Sequence, residues 1–375
     1  MNITIRRATL EDKPAIFAFL DQAYGDKARY KHPERWEWQF VHNPYKPSTE
    51  LPVWIAITEE GKVVGQSCAM YERIKVGEST ESLAWALDAY VLEDFRGLNL
   101  GFETLHANAE SNNLWAGLSM AESSRHILAK LGCFPIDKVS VYRRRLRIDG
   151  DSVRNSITRR FEKNIIGQKL LRWFGSEKLF DVIAFFVNLF FGGRDLVKKE
   201  PVDDSIKIIE VTEFEKSFDT WWDLVKRDYP VIVQRDSKFL NWKYCQQPFI
   251  NYHKFLATKN NEIFGYLVLR CAMPPESNIG IIADLLVLRK DEPTLSRLLD
   301  FSILYFKQRN MNIIEVASSV DEYINTFKRY GFHKFKDMRP LARTINDSLF
   351  SESLSTPGSW FLGRSDHDWD QYPLG

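Results

Sequence analysis

Three landmarks recur along this chain at a nearly fixed interval, and that recurrence limits the fold more than any other feature. Trp38 in RWEWQF pairs with Trp242 in FLNWKY, Gly65 in VVGQ with Gly265 in IFGY, and Gly132 in AKLGCF with Gly331 in KRYGFH. The separations are 204, 200 and 199 residues. A near-constant offset across three unrelated motifs argues for duplication of one unit. The surrounding patterns agree. Residues 3 to 9 alternate like a first strand, and Leu10 to Tyr24 form an amphipathic helix with Ile16, Phe17, Phe19 and Leu20 inward. Pro52 to Ile57 and Lys62 to Glu72 read as a hairpin turning at Glu59-Glu60-Gly61. The same order restarts at Ile206. The predicted fold class is α+β with mixed sheets, in units spanning 1–150 and 206–345, with a helical insertion at 151–205 and a C-terminal tail at 346–375. A chain of 375 residues is long enough for two cores.

Composition narrows the partners. Lys and Arg number 51 against 50 Asp and Glu, which leaves no basic excess for nucleic-acid phosphates. Cys68, Cys133, Cys245 and Cys271 are scattered without close pairs, so neither a disulfide framework nor a zinc site is expected, and a reducing compartment is. The opening MNITIRRATLED lacks a signal-peptide core and points to the cytoplasm.

The chemistry concentrates in WALDAYVLEDFRGLNLGF, Trp85 to Phe102. An apolar, β-leaning run gives way to a Gly-containing loop and then to a helix-like segment, the usual way to aim backbone amides at a phosphate. Downstream, Leu114 to Ser119 reads as a short strand, and Ile127 to Gly132 as a helix end capped by glycine. These residues resemble the acyl-CoA loop of the GNAT (GCN5-related) N-acetyltransferase superfamily. Arg96, Gly97 and Gly101 match its pattern, Val91 ends the strand, and Asn99 stands at the middle glycine, where Asn best tolerates left-handed angles. The resemblance implies two tandem GNAT-like acyltransferase domains and acetyl-CoA as co-substrate. It implies that the backbone of Ala89, Tyr90 and Val91 polarises the thioester. The pyrophosphate would lie on the amides of Arg96, Gly97, Leu98, Asn99, Leu100, Gly101 and Phe102. Leu128 stands where the family often has a tyrosine general acid, and Trp85 where some members carry a catalytic Glu.

Three side chains are candidates for proton transfer. Asp88 lies on the central strand, and its structural alternative is a carboxylate capping a neighbouring loop. Glu122 and His126 follow the strand at the expected mouth of the cleft, and His126 could serve as base for a hydroxyl acceptor but reads more readily as a solvated helix histidine. The second copy has VLRKDEPT, Val287 to Thr294, at the loop position. It contains no glycine, Pro293 removes a donor, and Asp291 and Glu292 repel a diphosphate, so this copy is expected not to bind CoA.

Four further features have competing readings. Trp36 and Trp38 suggest sugar stacking, but Trp242 recurs in the copy without a loop, which favours packing. The insertion carries Arg154, Arg159, Arg160, Lys163, Lys169 and Arg172 and then KLFDVIAFFVNLFFGG, too short for a bilayer that needs ~20 apolar residues. It reads either as peripheral membrane contact through 151–195 or as a helical hairpin packed between the domains or against a second subunit. Asp366, Asp368 and Asp370 are spaced like part of a calcium loop but lack its Gly and closing Glu, so no metal is expected. Trp360 to Leu362 reads as an added strand. The aromatic-Asn-Pro segment (Trp38, Asn43, Pro44) and the Trp- and Asp-rich tail also resemble bacterial surface-polysaccharide acetyltransferases, which implies a glycan or small-molecule acceptor. Fem-type aminoacyl transferases, and a decayed GNAT-fold scaffold, are the alternatives.

Overall fold

The computed structural model describes residues 2–161, 177–197, 203–272, 278–345 and 348–371. The chain enters through β1 (Ile3–Arg7), and one carboxylate ties that strand to the next helix. Asp12 accepts two hydrogen bonds from the Arg6 guanidinium and one from the Thr9 amide, each at 2.7 Å. In α1 (Lys13–Tyr24), Ile16, Phe19 and Leu20 are buried, while Phe17 is half buried and stacks on His32. α2 (Glu34–Trp36) continues into a π-helical turn, Glu37–Val41. β2 (Val53–Thr58), β3 (Val63–Val76) and β4 (Ser79–Val91) form an antiparallel meander. Then come α3 (Leu100–Glu110), β5 (Leu114–Gly117), α4 (Glu122–Lys130), β6 (Phe134–Pro135) and β7 (Val139–Arg145).

After α5 (Gly150–Phe161) and α6 (Glu177–Val197) the order repeats. It runs β8 (Lys207–Val211), α7 (Phe218–Val225), an extra β9 (Val231–Val233), α8 (Ser237–Tyr244), β10 (His253–Lys259), β11 (Glu262–Cys271) and β12 (Ile279–Val287). α9 (Glu292–Gln308), β13 (Ile313–Ser318), α10 (Asp321–Arg329), β14 (His333–Met338) and β15 (Leu341–Thr344) follow, then α11 (Ser348–Ser355), β16 (Trp360–Phe361) and a closing 3-10 turn, Trp369–Gln371.

Two mixed sheets result, with the same strand order but exchanged strands. The first is β1-β2-β3-β4-β5-β15-β6, with β9 on β3 and β16 on β9; the second is β8-β10-β11-β12-β13-β7-β14. β7 lies between β13 and β14, and β15 between β5 and β6. The expected boundary at residue 150 therefore does not separate the sheets, because each takes one inner strand from the other half of the chain.

The landmark residues have physical reasons. Trp38 and Trp242 stack on each other, centroids 4.6 Å apart, and the Trp38 indole donates to the Trp242 carbonyl at 3.1 Å. Both are buried in the seam between the halves, which is the packing role. Gly65 and Gly265 face the ends of β4 and β12, where a Cβ would lie 3.3 Å from Val91 Cγ2 and 2.8 Å from Val287 Cγ1. Gly132 and Gly331 end their helices at φ 81° and 75°, in the left-handed region that glycine enters freely. Beside the stacked tryptophans, Glu72 and Lys243 form a fully buried pair at 3.1 Å, and the Trp85 indole donates to Glu72 at 2.7 Å.

The described helices of the insertion, α5 and α6, do not lie in that seam. Val153, Phe180 and Ala184 make a small separate cluster between α5 and α6, and Asn188 bonds both backbone groups of Ile148 at 2.8 Å. Val182, Phe185, Phe186 and Leu189 are exposed on the outer side of α6. Residues 162–176, with Lys163, Lys169 and Arg172 of the expected basic positions, lie outside the described residues. Among the described residues no helix is long and apolar enough to cross a membrane.

Two predictions follow from this architecture. The Arg6 hydrogen bonds, with help from Thr9, hold the Asp12 carboxyl down at about 2. A carboxylate depressed on folding contributes stability above its unfolded value near pH ~4 and loses it as pH falls further. With Arg6 partly exposed, Asp12→Asn should cost roughly 1 kcal/mol at pH 7 and progressively less towards pH 2, measured by urea unfolding. Secondly, residues 1–150 expressed alone lack the strand between β5 and β6. They should show no cooperative thermal transition by circular dichroism; a sharp transition would contradict the exchange.

Candidate functional site

The site begins where two parallel strands part. β4 and β5 pair only at Ala84 with Trp115 and Trp85 with Ala116. Beyond that point β4 continues to Val91 with nothing from β5 beside it. The β3–β4 register steps from Gln66 opposite Tyr90 to Cys68 opposite Leu87, which leaves Asp88 and Ala89 as a bulge opposite Ser67. Asp88 adopts φ 51° to make it. The Leu92 amide donates to Val64 at 3.0 Å, so by alternation the Val91 amide points to the other edge, into the gap.

The loop continues this row of donors. A 3-10 turn, Glu93–Phe95, precedes Arg96 and then Gly97 at φ 90°; Asn99 at φ 60° caps α3 in the left-handed conformation expected of it. At the two ends the amides are already used: Arg96 N donates to Glu93 O, and Phe102 N to Asn99 O, each at 3.1 Å. Arg96 and Phe102 therefore drop out of the expected set of seven. The amides of Gly97, Leu98, Asn99, Leu100 and Gly101 donate to no acceptor among the described residues. The Asn99 side chain is held against α3 by Glu103 Oε1 at 2.9 Å and does not close over the loop. A Cβ on Gly101 would meet Val91 Cγ2 at an ordinary 3.7 Å, so the helix start packs directly on the strand end.

A cavity of about 270 Å³ fills the space between the parted strands. Asp88 and Ala89 line it from β4, Ser124 and Leu128 from α4, Tyr24 and Lys31 from the α1 region, and His367, Asp368 and Trp369 from the tail. Glu122 and His126 do not line it. They lie on the exposed side of α4, while Ser124 and Leu128, one turn apart, face inward. Asp88 is paired with Lys31, both nearly buried. Burial lowers the Lys31 pKa, against the pull of Asp88; burial likewise raises that of Tyr24. Arg35 bonds Asp368 at 2.8 Å, and His367 Nε2 lies 2.9 Å from the Ala86 carbonyl. Sequence reasoning missed Lys31 and His367, and weighed Asp368 only as part of a metal loop.

The second sheet repeats the device and fills it. β12 and β13 pair only from Ile279 to Ile281 before parting. Here Phe361, Gly363 and Arg364 of the tail occupy the gap, leaving about 10 Å³. The Val287 amide, counterpart of Val91, donates to the Tyr323 hydroxyl at 2.9 Å. In the loop, Asp291 N donates to Leu288 O at 3.0 Å and the Asp291 carboxylate accepts from Thr294 N at 3.1 Å. Arg235, seven residues before Trp242 as Lys31 is before Trp38, pairs with Asp284, three before Val287 as Asp88 is before Val91. The tail carboxylates are engaged with protein: Asp366 with Arg235 at 2.8 Å, Asp368 with Arg35, and Asp370 with the Tyr252 hydroxyl at 2.5 Å. Among the described residues no acidic, His or Cys group gathers as a metal site.

No family model matches this chain, and no curated protein matches it. Solved structures do. A GCN5-related N-acetyltransferase from Anabaena variabilis superposes with a TM-score of 0.56 at 13% identity, over 92% of this chain and 73% of that one. Another from Kribbella flavida gives 0.53 at 11% identity, over 92% and 71%. At such identities the likeness establishes the fold alone, and the fold is that of the GCN5-related N-acetyltransferases.

Proposed function

We propose that the chain is an acyl-CoA-dependent acyltransferase, using acetyl-CoA to acetylate an amine or hydroxyl of a small-molecule or glycan acceptor. The observation that carries this reading is the run of five unclaimed amides from Gly97 to Gly101, on the loop that follows the cavity-lining strand β4. Such a run at a helix start suits a diphosphate. The Val91 amide, aimed into the gap, suits the thioester carbonyl, where a donor stabilises the developing oxyanion. The new bond forms between the acceptor heteroatom and the acyl carbon as the C–S bond breaks, the electron pair leaving on sulfur. The acceptor's proton goes to the Lys31–Asp88 pair. Lys31 is the member whose charge changes, because burial already favours its neutral form. The filled half keeps Arg235 at the same place, and a guanidinium cannot give up its proton. The groups facing Lys31 are Asp88, Arg35, Asp368 and Tyr24.

Calorimetry with acetyl-CoA tests the first step. Binding in the micromolar range, weakened at least ~100-fold in Gly97→Asp, is expected from loss of the amide row to a carboxylate; no binding at millimolar acetyl-CoA would leave a scaffold. Thiol release across amino sugars, sugar nucleotides and amino acids identifies the acceptor. For the second step, Lys31→Arg should retain the ion pair, as Arg235 does, and keep acetyl-CoA affinity. It should lower kcat roughly 100-fold or more and remove the limb on which the wild-type rate rises with pH. An unchanged pH profile in Lys31→Arg would assign the proton elsewhere.

A further inference from the structure

One segment passes through both parted strand pairs. Ser359 to Gln371 is buried at every position. Trp360 and Phe361 pair in parallel with Val231 and Ile232, and Leu362 O accepts from Ser319 N at 2.9 Å. Gly363 bridges to Ser318 in the second gap. Ionic contacts then fix its course: Arg364 on Glu315, Asp366 on Arg235, Asp368 on Arg35. At His367, φ 68°, the chain turns to reach the first gap.

The atom it meets there is the first orphan of the parting. Ala86 follows Trp85, the last β4 residue paired with β5. Its antiparallel partner is Ala69, whose amide donates outward to Pro52 at 2.8 Å. Ala69 therefore turns its backbone groups away from β4, and Ala86 turns its own away from β3, towards β5. A regular parallel ladder would continue across this carbonyl. His367 Nε2 takes it at 2.9 Å instead. Asp368 Oδ1 lies 2.5 Å from the other ring nitrogen, the Trp85 ring lies edge-on at 5.9 Å, and Lys243 Nζ holds the His367 carbonyl at 2.9 Å. The histidine is buried, held on both sides, and borders the cavity.

We propose that the tail segment Ser359–Gln371 is part of the acceptor site, with His367 a positioning residue that replaces β5 at the Ala86 carbonyl and sets the width of the cleft. The segment closes the second gap and wedges the first, so one element decides which half works. This rests on the acyltransferase reading above. Geometry errors of ~1 Å in such a site cost about 100-fold in rate. The test compares His367→Phe, which fills the space without a donor, with His367→Gln, whose amide donates. Both bear the same left-handed backbone. Thiol release is followed with the best acceptor of the panel, and acetyl-CoA binding by calorimetry. His367→Phe should lose roughly ten- to a hundredfold in kcat/KM for the acceptor with acetyl-CoA affinity within about twofold, and His367→Gln should recover most of it. A folded His367→Phe within about twofold of wild type overturns the proposal. Should that variant not fold, His367→Leu, smaller and equally without a donor, is read by the same two criteria. Wild-type protein that binds no acetyl-CoA and releases no thiol overturns the acyltransferase reading and this one with it. Turnover by wild type beside an unaffected variant overturns only the wedge.

Discussion

A parallel strand pair that stops pairing partway leaves backbone donors and acceptors facing empty space, and buried polar groups of that kind must find partners. The described residues contain two such partings, after Trp85 and Ala116 in one sheet and after Ile281 and Glu315 in the other. What fills each gap determines the rest. In the second, Tyr323 and the tail supply the partners from within the chain, and the space is gone. In the first, His367 satisfies one carbonyl at the apex, and the remainder of the gap stays open as the cavity. The same fold element is thus spent on stability in one half and kept for a ligand in the other.

The exchange of β7 and β15 makes this asymmetry rigid. Each sheet holds an inner strand from the opposite half, so neither can shift without unpicking a ladder in the other. The seam adds Glu72 with Lys243 and the tail adds Arg364, Asp366 and Asp368 with their partners, all buried. Buried ion pairs add little net stability over apolar packing, but losing one partner costs about 3–5 kcal/mol. Their physical role here is register: only one alignment of the tail neutralises all of these charges together. That fixes His367 opposite Ala86 and Phe361 inside the second gap.

Much of the fold was legible because its signals are local. Gly132 and Gly331 mark helix ends through a conformation few other residues accept, and Gly65 and Gly265 mark a crowded cross-strand position opposite Val91 and Val287. Asn99 supports the left-handed turn for the reason its side chain suggests. The exchange was not legible, since alternation identifies a strand but not the sheet that receives it. Nearness to the strand end points to Glu122 and His126, but helical phase is the better guide. Leu128 marks the inward face, and Ser124 lies one turn before it. The tail misled because acidic residues two apart in a polar run look solvated or metal-binding. Their partners Arg35 and Arg235 lie more than a hundred residues away, and nothing in the sequence joins them.

The fold leaves one gap open and the other filled, and ligand stoichiometry reads that directly. Equilibrium dialysis of the full chain against labelled acetyl-CoA should saturate at one equivalent per chain. Two equivalents would mean that the tail does not close the second gap, and none would mean that the amide row from Gly97 to Gly101 holds no diphosphate.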